Sequence, residues 1–167
     1  LEPSCLLTLR DEFLTLLPGE DTKALAENAL LFEEFVAREL GEGRFRLPTS
    51  GMAGETVHVH GHCHQKAAGV MGDMDRALAA LEGLQVRHIE SACCGMAGAF
   101  GYGAETYDVS RKMGELALLP AVREAAPAHH VLANGTSCRH QIADGADRDA
   151  IHIAELFEMA TQGKTGG

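Results

Sequence analysis

The chain has 167 residues, of which 46% are hydrophobic, and carries a net charge of −10 at pH 7. That length and hydrophobic content predict one folded domain with its own core. The acidic balance argues against nucleic acid as a partner, because phosphate binding needs a basic surface. We expect no membrane span, since no apolar run approaches the roughly 20 residues that one needs, and no secretory signal.

Helical patterns occupy the first part of the chain. Apolar residues spaced 3, 4, 3 and 1 positions apart predict a helix over residues 6–17, stopped by Pro18-Gly19. A second helix is predicted over residues 23–40, capped by Asp21-Thr22. Residues 41–54 are rich in Gly, Pro and Ser and are typical of a connection. We therefore place a boundary near residue 50, with a helical segment over 1–50 and an α/β domain over 51–167.

From residue 56 the pattern alternates between strand and helix. Strands are predicted over 56–60, 86–90 and 130–133, and helices over 65–84, 106–125 and 137–143. Pro120 is expected to kink or end the second of these helices. Residues 150–153 are either a fourth strand or the start of a helix that runs to 160, and residues 162–167 form a frayed tail. This alternation predicts a three- to four-stranded parallel sheet flanked by helices.

Four cysteines follow the predicted strands. Cys63 follows the first, Cys93 and Cys94 the second, and Cys138 the third. Ligands of open parallel sheets bind outside the carboxyl ends of the strands, so these thiols are expected to meet at one edge. Thiolates select zinc, copper(I) or iron–sulfur centres. We favour a shared metal or cluster site, with buried structural thiols as the alternative.

The five cysteines of the chain are an odd number and too few for a secreted disulfide scaffold. Thiols kept for metal or redox work fit a reducing, cytoplasmic setting, with a peripheral position at the inner membrane as a variant. The chain opens on Leu1 rather than Met, which we interpret as the start of a piece of something longer.

Two short self-similarities suggest that the helical segment is the tail of a preceding copy of the α/β module. Ser4-Cys5 matches Ser137-Cys138 at an offset of 133 residues, and residues 29–35 resemble residues 150–156 at an offset of 121. Cys5 would then be the counterpart of Cys138, brought to the same site.

Histidines and glycines surround the thiols. His62 and His64 flank Cys63, and His140 lies close to Cys138; each is an alternative metal ligand or a residue that supports one. His58 and His60 lie within a strand, where packing is just as good an interpretation. Gly95 and Gly98 follow the cysteine pair and allow the backbone to fold closely around an inorganic group.

The three cysteine loops resemble a known family. The segments Gly61-His62-Cys63-His64-Gln65-Lys66, Cys93-Cys94-Gly95-Met96-Ala97-Gly98 and Gly135-Thr136-Ser137-Cys138 are similar to the cysteine-rich "CCG" domain. That domain occurs in glycolate oxidase iron–sulfur subunits, anaerobic glycerol-3-phosphate dehydrogenase subunits and heterodisulfide reductases. The resemblance is strongest to large fusions of an FAD-linked oxidase, a ferredoxin-like segment and a carboxy-terminal CCG pair, which act as D-lactate or D-2-hydroxyglutarate dehydrogenases.

The resemblance implies an iron–sulfur electron-transfer module of a flavin-dependent 2-hydroxyacid dehydrogenase. Its ligands would be Cys63, Cys93, Cys94 and Cys138, with Cys5 as a fifth, and a 4Fe-4S cluster is the expected type. FAD would lie in a missing part of the protein, a quinone or another acceptor would take the electrons, and the fragment alone would not oxidise substrate.

One departure from the family pattern concerns the last loop. The fullest pattern ends in CxxC, whereas this chain has Gln141 in place of the second cysteine. Cys5 or His140 could substitute, or the site could hold a smaller cluster or zinc. A zinc-bound structural or docking module is therefore the first alternative function, and thiol–disulfide chemistry at Cys93-Cys94 is the second.

Overall fold

The computed structural model describes residues 2–46 and 50–162. The first part holds four helices, α1 (Pro3–Arg10), α2 (Glu12–Leu16), α3 (Glu20–Asn28) and α4 (Phe32–Gly41). The second part holds β1 (Thr56–His60), α5 (Cys63–Ala67), α6 (Met71–Ala79), β2 (Gln85–His88), α7 (Tyr107–Glu115), α8 (Leu118–Glu124), β3 (His130–Ala133), α9 (Thr136–Ala146) and α10 (Ile153–Gln162). Short 3-10 helices span Ser50–Met52 and Phe100–Tyr102.

The sheet confirms the predicted α/β fold. Its strands are all parallel, in the order β2-β1-β3, and Val57 of β1 is in register with Val86 of β2 and His130 of β3. The alternative of a fourth strand over 150–153 reduces to a single parallel bridge between Ile151 and Leu132. The chain enters α10 two residues after that bridge, which leaves no length for a strand.

Four predicted long helices are each broken into two shorter ones. The first breaks at Asp11, whose backbone leaves the helical region, and the third at Gly69, which has a φ of +71°. The second breaks before α4, where the Leu31 amide donates to the Glu34 carboxylate at 2.9 Å instead of continuing α3. Pro120 does not end the fourth helix, because it lies in the first turn of α8, where its missing N–H costs nothing.

The central strand is packed on both faces. Val57 and Val59 are fully buried in the larger core, which α4, α6 and α10 cover with Val36, Met74, Leu78, Leu156 and Phe157. A second core packs Val131 and Ala133 of β3 against Leu118, Val122 and Ile142 of α8 and α9. Since Val36 belongs to the helical segment, that segment shares the core of the α/β part.

The predicted connection and tail are only partly described. Residues 47–49 of the connection and residues 163–167 of the predicted frayed tail lie outside the described residues. Within the described part, Met52 is buried in the larger core and Gln162 ends α10. The boundary near residue 50 stays a prediction.

Candidate metal centre

The carboxyl ends of the three strands carry the cysteine loops. After β1 the chain turns at Gly61-His62 and starts α5 at Cys63, and after β3 it turns at Asn134-Gly135 into α9, whose third residue is Cys138. The long loop after β2 carries Cys93 and Cys94. The structure therefore places four thiols at one edge of the sheet.

Three of the side chains at this edge form a buried group. One ligand atom each from His60, Cys94 and Cys138 lie within 4.8 Å of one another, and all three residues are buried. A hydrogen bond from Cys138 lowers the pKa of Cys94 to about 4. The same hydrogen bond and burial raise the pKa of Cys138. This lowered pKa favours the thiolate form of Cys94, which is the form that binds metals.

The other two thiols lie nearer to solvent. Cys63 and Cys93 are half-buried, and burial together with the neighbouring Cys93 raises the pKa of Cys63. The Gly95 amide donates to the Cys93 sulfur at 3.4 Å. Backbone amides that donate to a sulfur stabilise negative charge on it. The two adjacent cysteines therefore face different partners, Cys93 toward Cys63 and Cys94 toward Cys138.

His62 is fixed by the start of α5. Its Nδ1 accepts from the His64 amide at 3.2 Å, and its own amide donates to Gln65 Oε1 at 2.9 Å. Its Nε2 lies 3.4 Å from the Glu2 carboxylate, and burial lowers the pKa of the imidazole. His62, Cys63 and His64 form a second group whose ligand atoms lie within 4.8 Å of one another. This group is more exposed than the first.

Cys5 and His140 are placed differently. Cys5 is exposed on α1 and lines a cavity of about 730 Å³ together with Cys63, Cys93 and Cys94. His140 is exposed, and its Nδ1 lies 3.1 Å from the Tyr102 hydroxyl. Cys5 thus borders the site, whereas His140 belongs to neither of the two groups described above.

Gln141 hydrogen-bonds the backbone of the loop that carries Cys93 and Cys94. Its Nε2 donates to the Cys94 carbonyl at 3.0 Å and to the Ser110 carbonyl at 3.1 Å. The residue that replaces the expected cysteine therefore hydrogen-bonds the backbone of the loop. Gly95 lies in the same loop with a φ of +93°, and Gly98 has a φ of +64°, so both adopt backbone conformations that favour glycine.

Sequence reasoning missed His60 as part of the site. In the sequence, His58, His60, His62 and His64 alternate identically, so no local pattern separates them. His60 is the last residue of β1, which lies between β2 and β3 in the sheet. Its position at the end of the central strand, between the loops that carry Cys94 and Cys138, is the signal that could have identified it.

The chain is thus a parallel α/β domain with a thiol-rich site at the carboxyl ends of its strands, and the groups of cysteine and histidine at that site could hold a metal ion. The chain is 31% identical to D-2-hydroxyglutarate dehydrogenase of Escherichia coli (strain K12) over 85% of its own length and 13% of that protein. It is 31% identical to a subunit of the anaerobic glycerol-3-phosphate dehydrogenase of the same strain over 94% of its own length and 38% of that protein. A 29% match covers 85% of the chain and 13% of D-2-hydroxyglutarate dehydrogenase of Pantoea ananatis (strain AJ13355).

These relatives are dehydrogenases or dehydrogenase subunits by name, and the chain spans less than two fifths of the length of each. No family model matches the chain, and no solved structure matches it. Among residues 2–46 and 50–162, no helix combines the length and the apolar character needed to cross a bilayer.

Proposed function

We propose that the chain is the iron–sulfur electron-transfer part of a flavin-dependent 2-hydroxyacid dehydrogenase. The observation that carries the proposal is the convergence of Cys63, Cys93, Cys94 and Cys138 from three loops onto one sheet edge. The partial matches to two kinds of dehydrogenase support the oxidoreductase context. FAD and a ferredoxin-like segment would lie elsewhere in the full protein, and a quinone or another acceptor would receive the electrons.

The residues fit such a centre. Four thiols supply soft ligands, and the buried His60 ring lies beside two of them. The Nε2 atom of that ring has no hydrogen-bond partner among the described residues. A bound iron–sulfur cluster supplies one-electron redox chemistry. The surrounding residues favour the thiolate form of Cys94 and bury Cys94 and Cys138 away from solvent. The Gly95 amide donates a hydrogen bond to the Cys93 sulfur. In this proposal the chain alone does not oxidise substrate.

We also propose that residues 2–46 are the tail of a preceding copy of the module. Two structural matches support this. Cys5 is the third residue of α1, as Cys138 is of α9. Helices α4 and α10 both begin after an amide that donates to a glutamate three positions on, Leu31 to Glu34 and His152 to Glu155, each at 2.9 Å.

A zinc-bound structural module is the second candidate, because the group of His62, Cys63 and His64 offers the mixed nitrogen and sulfur ligands that zinc accepts. A disulfide between Cys93 and Cys94 is less favoured. The two side chains would have to turn from Cys63 and Cys138 to meet each other.

The test is anaerobic reconstitution of the chain with iron and sulfide, followed by metal and acid-labile sulfide analysis. We expect iron with labile sulfide in the wild type, lost in Cys94→Ser and in Cys63→Ser. The Cys5→Ser variant reports whether the exposed cysteine is a ligand, and urea unfolding of each variant excludes loss of fold. Stoichiometric zinc with no iron uptake would overturn the proposal.

A further inference from the structure

His60 ends the central strand and is 1% exposed. Histidine is rarely buried to this extent without its polar atoms being satisfied. Its Nδ1 lies 2.8 Å from the Ser91 hydroxyl oxygen. Its Nε2 is buried and has no hydrogen-bond partner in the described part of the chain. An unpartnered buried nitrogen indicates that something else faces it.

The contacts of Ser91 are compatible with a proton on Nδ1 of His60. The Ser91 hydroxyl donates to the Ile89 carbonyl oxygen at 3.5 Å. With its proton there, the Ser91 oxygen is free to accept from Nδ1–H of His60 at 2.8 Å. The neutral imidazole then has its lone pair on Nε2. This is the arrangement of a metal-binding histidine, in which the second ring nitrogen donates to a neighbouring oxygen.

The two sulfurs lie close to the imidazole ring of His60. A ring nitrogen of His60 lies within 4.8 Å of the sulfurs of Cys94 and Cys138, and Nδ1 is already held by Ser91. The residue that replaces the last cysteine of the family pattern, Gln141, is occupied by the Cys94 and Ser110 carbonyls. A nitrogen donor therefore stands beside the sulfurs of Cys94 and Cys138.

We propose that His60 Nε2 is a metal ligand at this site, together with the sulfurs of Cys94 and Cys138. If the site holds an iron–sulfur cluster, His60 binds an iron of that cluster, and this version of the assignment rests on the proposed function. The assignment also holds for any soft or borderline metal ion in the group. The competing role is a simple acceptor for a thiol proton, which would leave metal binding unaffected.

Cobalt(II) tests the ligand without depending on cluster assembly. The reduced, metal-free chain is titrated anaerobically with Co²⁺, and sulfur-to-cobalt charge-transfer and ligand-field bands are followed. We expect thiolate-bound cobalt in the wild type and an affinity at least about tenfold weaker, with shifted bands, in His60→Ala. His58→Ala is the matched control, because His58 lies on the same face of β1 but contacts His129.

Equal affinity and bands in wild type and His60→Ala, or no cobalt binding by the wild type, would overturn the assignment. If His60→Ala does not fold, Ser91→Ala replaces it. That variant keeps the imidazole but frees Nδ1, and it is expected to weaken cobalt binding while His58→Ala does not. Binding unaffected by Ser91→Ala would then count against the assignment.

The iron–sulfur form gives a second readout. Chains labelled with ¹⁵N-histidine are reconstituted, reduced and examined by pulsed EPR for nitrogen coupling. We expect a histidine coupling that is present in His58→Ala and His62→Ala and absent in His60→Ala. A full cluster without this coupling overturns the His60 assignment alone. Failure to assemble a cluster, with His60-dependent cobalt binding, overturns the proposed function alone.

Discussion

The Glu33 carboxylate accepts a hydrogen bond from Asn134 Nδ2 at 3.0 Å, across 101 positions of the sequence. Glu33 is fully buried, and its other oxygen accepts from Gln65 Nε2. Gln65 in turn holds the His62 amide beside Cys63, while Asn134 Oδ1 holds the Ile153 amide at the start of α10. One carboxylate of the helical segment thus connects the loop of Cys63 to the loop of Cys138.

We expect Glu33→Gln to lower the free energy of unfolding by about 1–3 kcal/mol, because an NH2 group replaces one of the two carboxylate oxygens and then faces the NH2 donor of Gln65 or Asn134. Iron uptake should fall with it, since both cysteine loops lose a shared anchor. Urea unfolding measures the first effect and iron analysis the second. Glu27→Gln, an exposed change on α3, is the control. Equal stability of the two variants would contradict this role of Glu33.

Restoring the family cysteine with Gln141→Cys should not add a ligand. The change removes the hydrogen bonds that Gln141 donates to the Cys94 and Ser110 carbonyls in a buried part of the loop. We expect a loss of about 1–3 kcal/mol in the free energy of unfolding and no increase in iron per chain. Gln85→Cys, at an exposed strand position, controls for the added thiol. Higher iron content in Gln141→Cys would refute the structural role of the glutamine.

The two loop glycines should differ in their tolerance of alanine. A Cβ on Gly95 would overlap the Ser110 carbonyl oxygen and lie 3.0 Å from Met113 Cβ, whereas a Cβ on Gly98 meets nothing within 4 Å. Both residues have positive φ. We expect Gly98→Ala to cost about 1–2 kcal/mol of stability and Gly95→Ala about 3 kcal/mol or more. Denaturant unfolding of the pair checks this order, and the reverse order would be incompatible with the loop geometry.

Stability should fall in mild acid through His152. Burial, with a contribution from Arg139, lowers the pKa of His152 to about 4, and its Nδ1 accepts from the Ala154 amide at 3.1 Å. The unfolded chain, with a histidine pKa near 6.5, takes up the proton first. The contribution of His152 is therefore complete above about pH 6.5 and is lost as the pH falls toward 4.

His152→Asn keeps an acceptor but removes the titration. The stability of the variant should fall less steeply from about pH 6.5 to 4, by about 1–3 kcal/mol over that window. His58 and His62, whose pKa values burial also lowers, contribute equally to both proteins. Urea unfolding at several pH values measures the difference, and parallel curves would rule out His152 as the cause.

The sheet was predictable because its determinants are local. The runs at 56–60 and 130–133 are short, rich in β-branched or apolar residues and bounded by turn residues, and both strands have the predicted bounds. The helix breaks were not predictable from periodicity alone. The break before α4 depends on the Glu34 carboxylate, which accepts from the Leu31 amide and also pairs with Arg10 on α1 at 2.7 Å.

The meeting of the thiols at one edge of the sheet was predictable, whereas the residues that contact them were not. The cysteine positions follow from the rule that parallel strands end at a common edge. The roles of His60 and Gln141 depend on Ser91 and Ser110, which lie 31 positions away in each case. Such pairings exist only once the chain is folded, so no spacing in the sequence indicates them.

The most direct test of the electron-transfer account is an EPR-monitored redox titration of the anaerobically reconstituted chain. The account predicts a cluster signal that appears and disappears reversibly with one electron per cluster and that is absent in Cys94→Ser. A chain that takes up zinc alone, or iron that shows no reversible one-electron change, would contradict it.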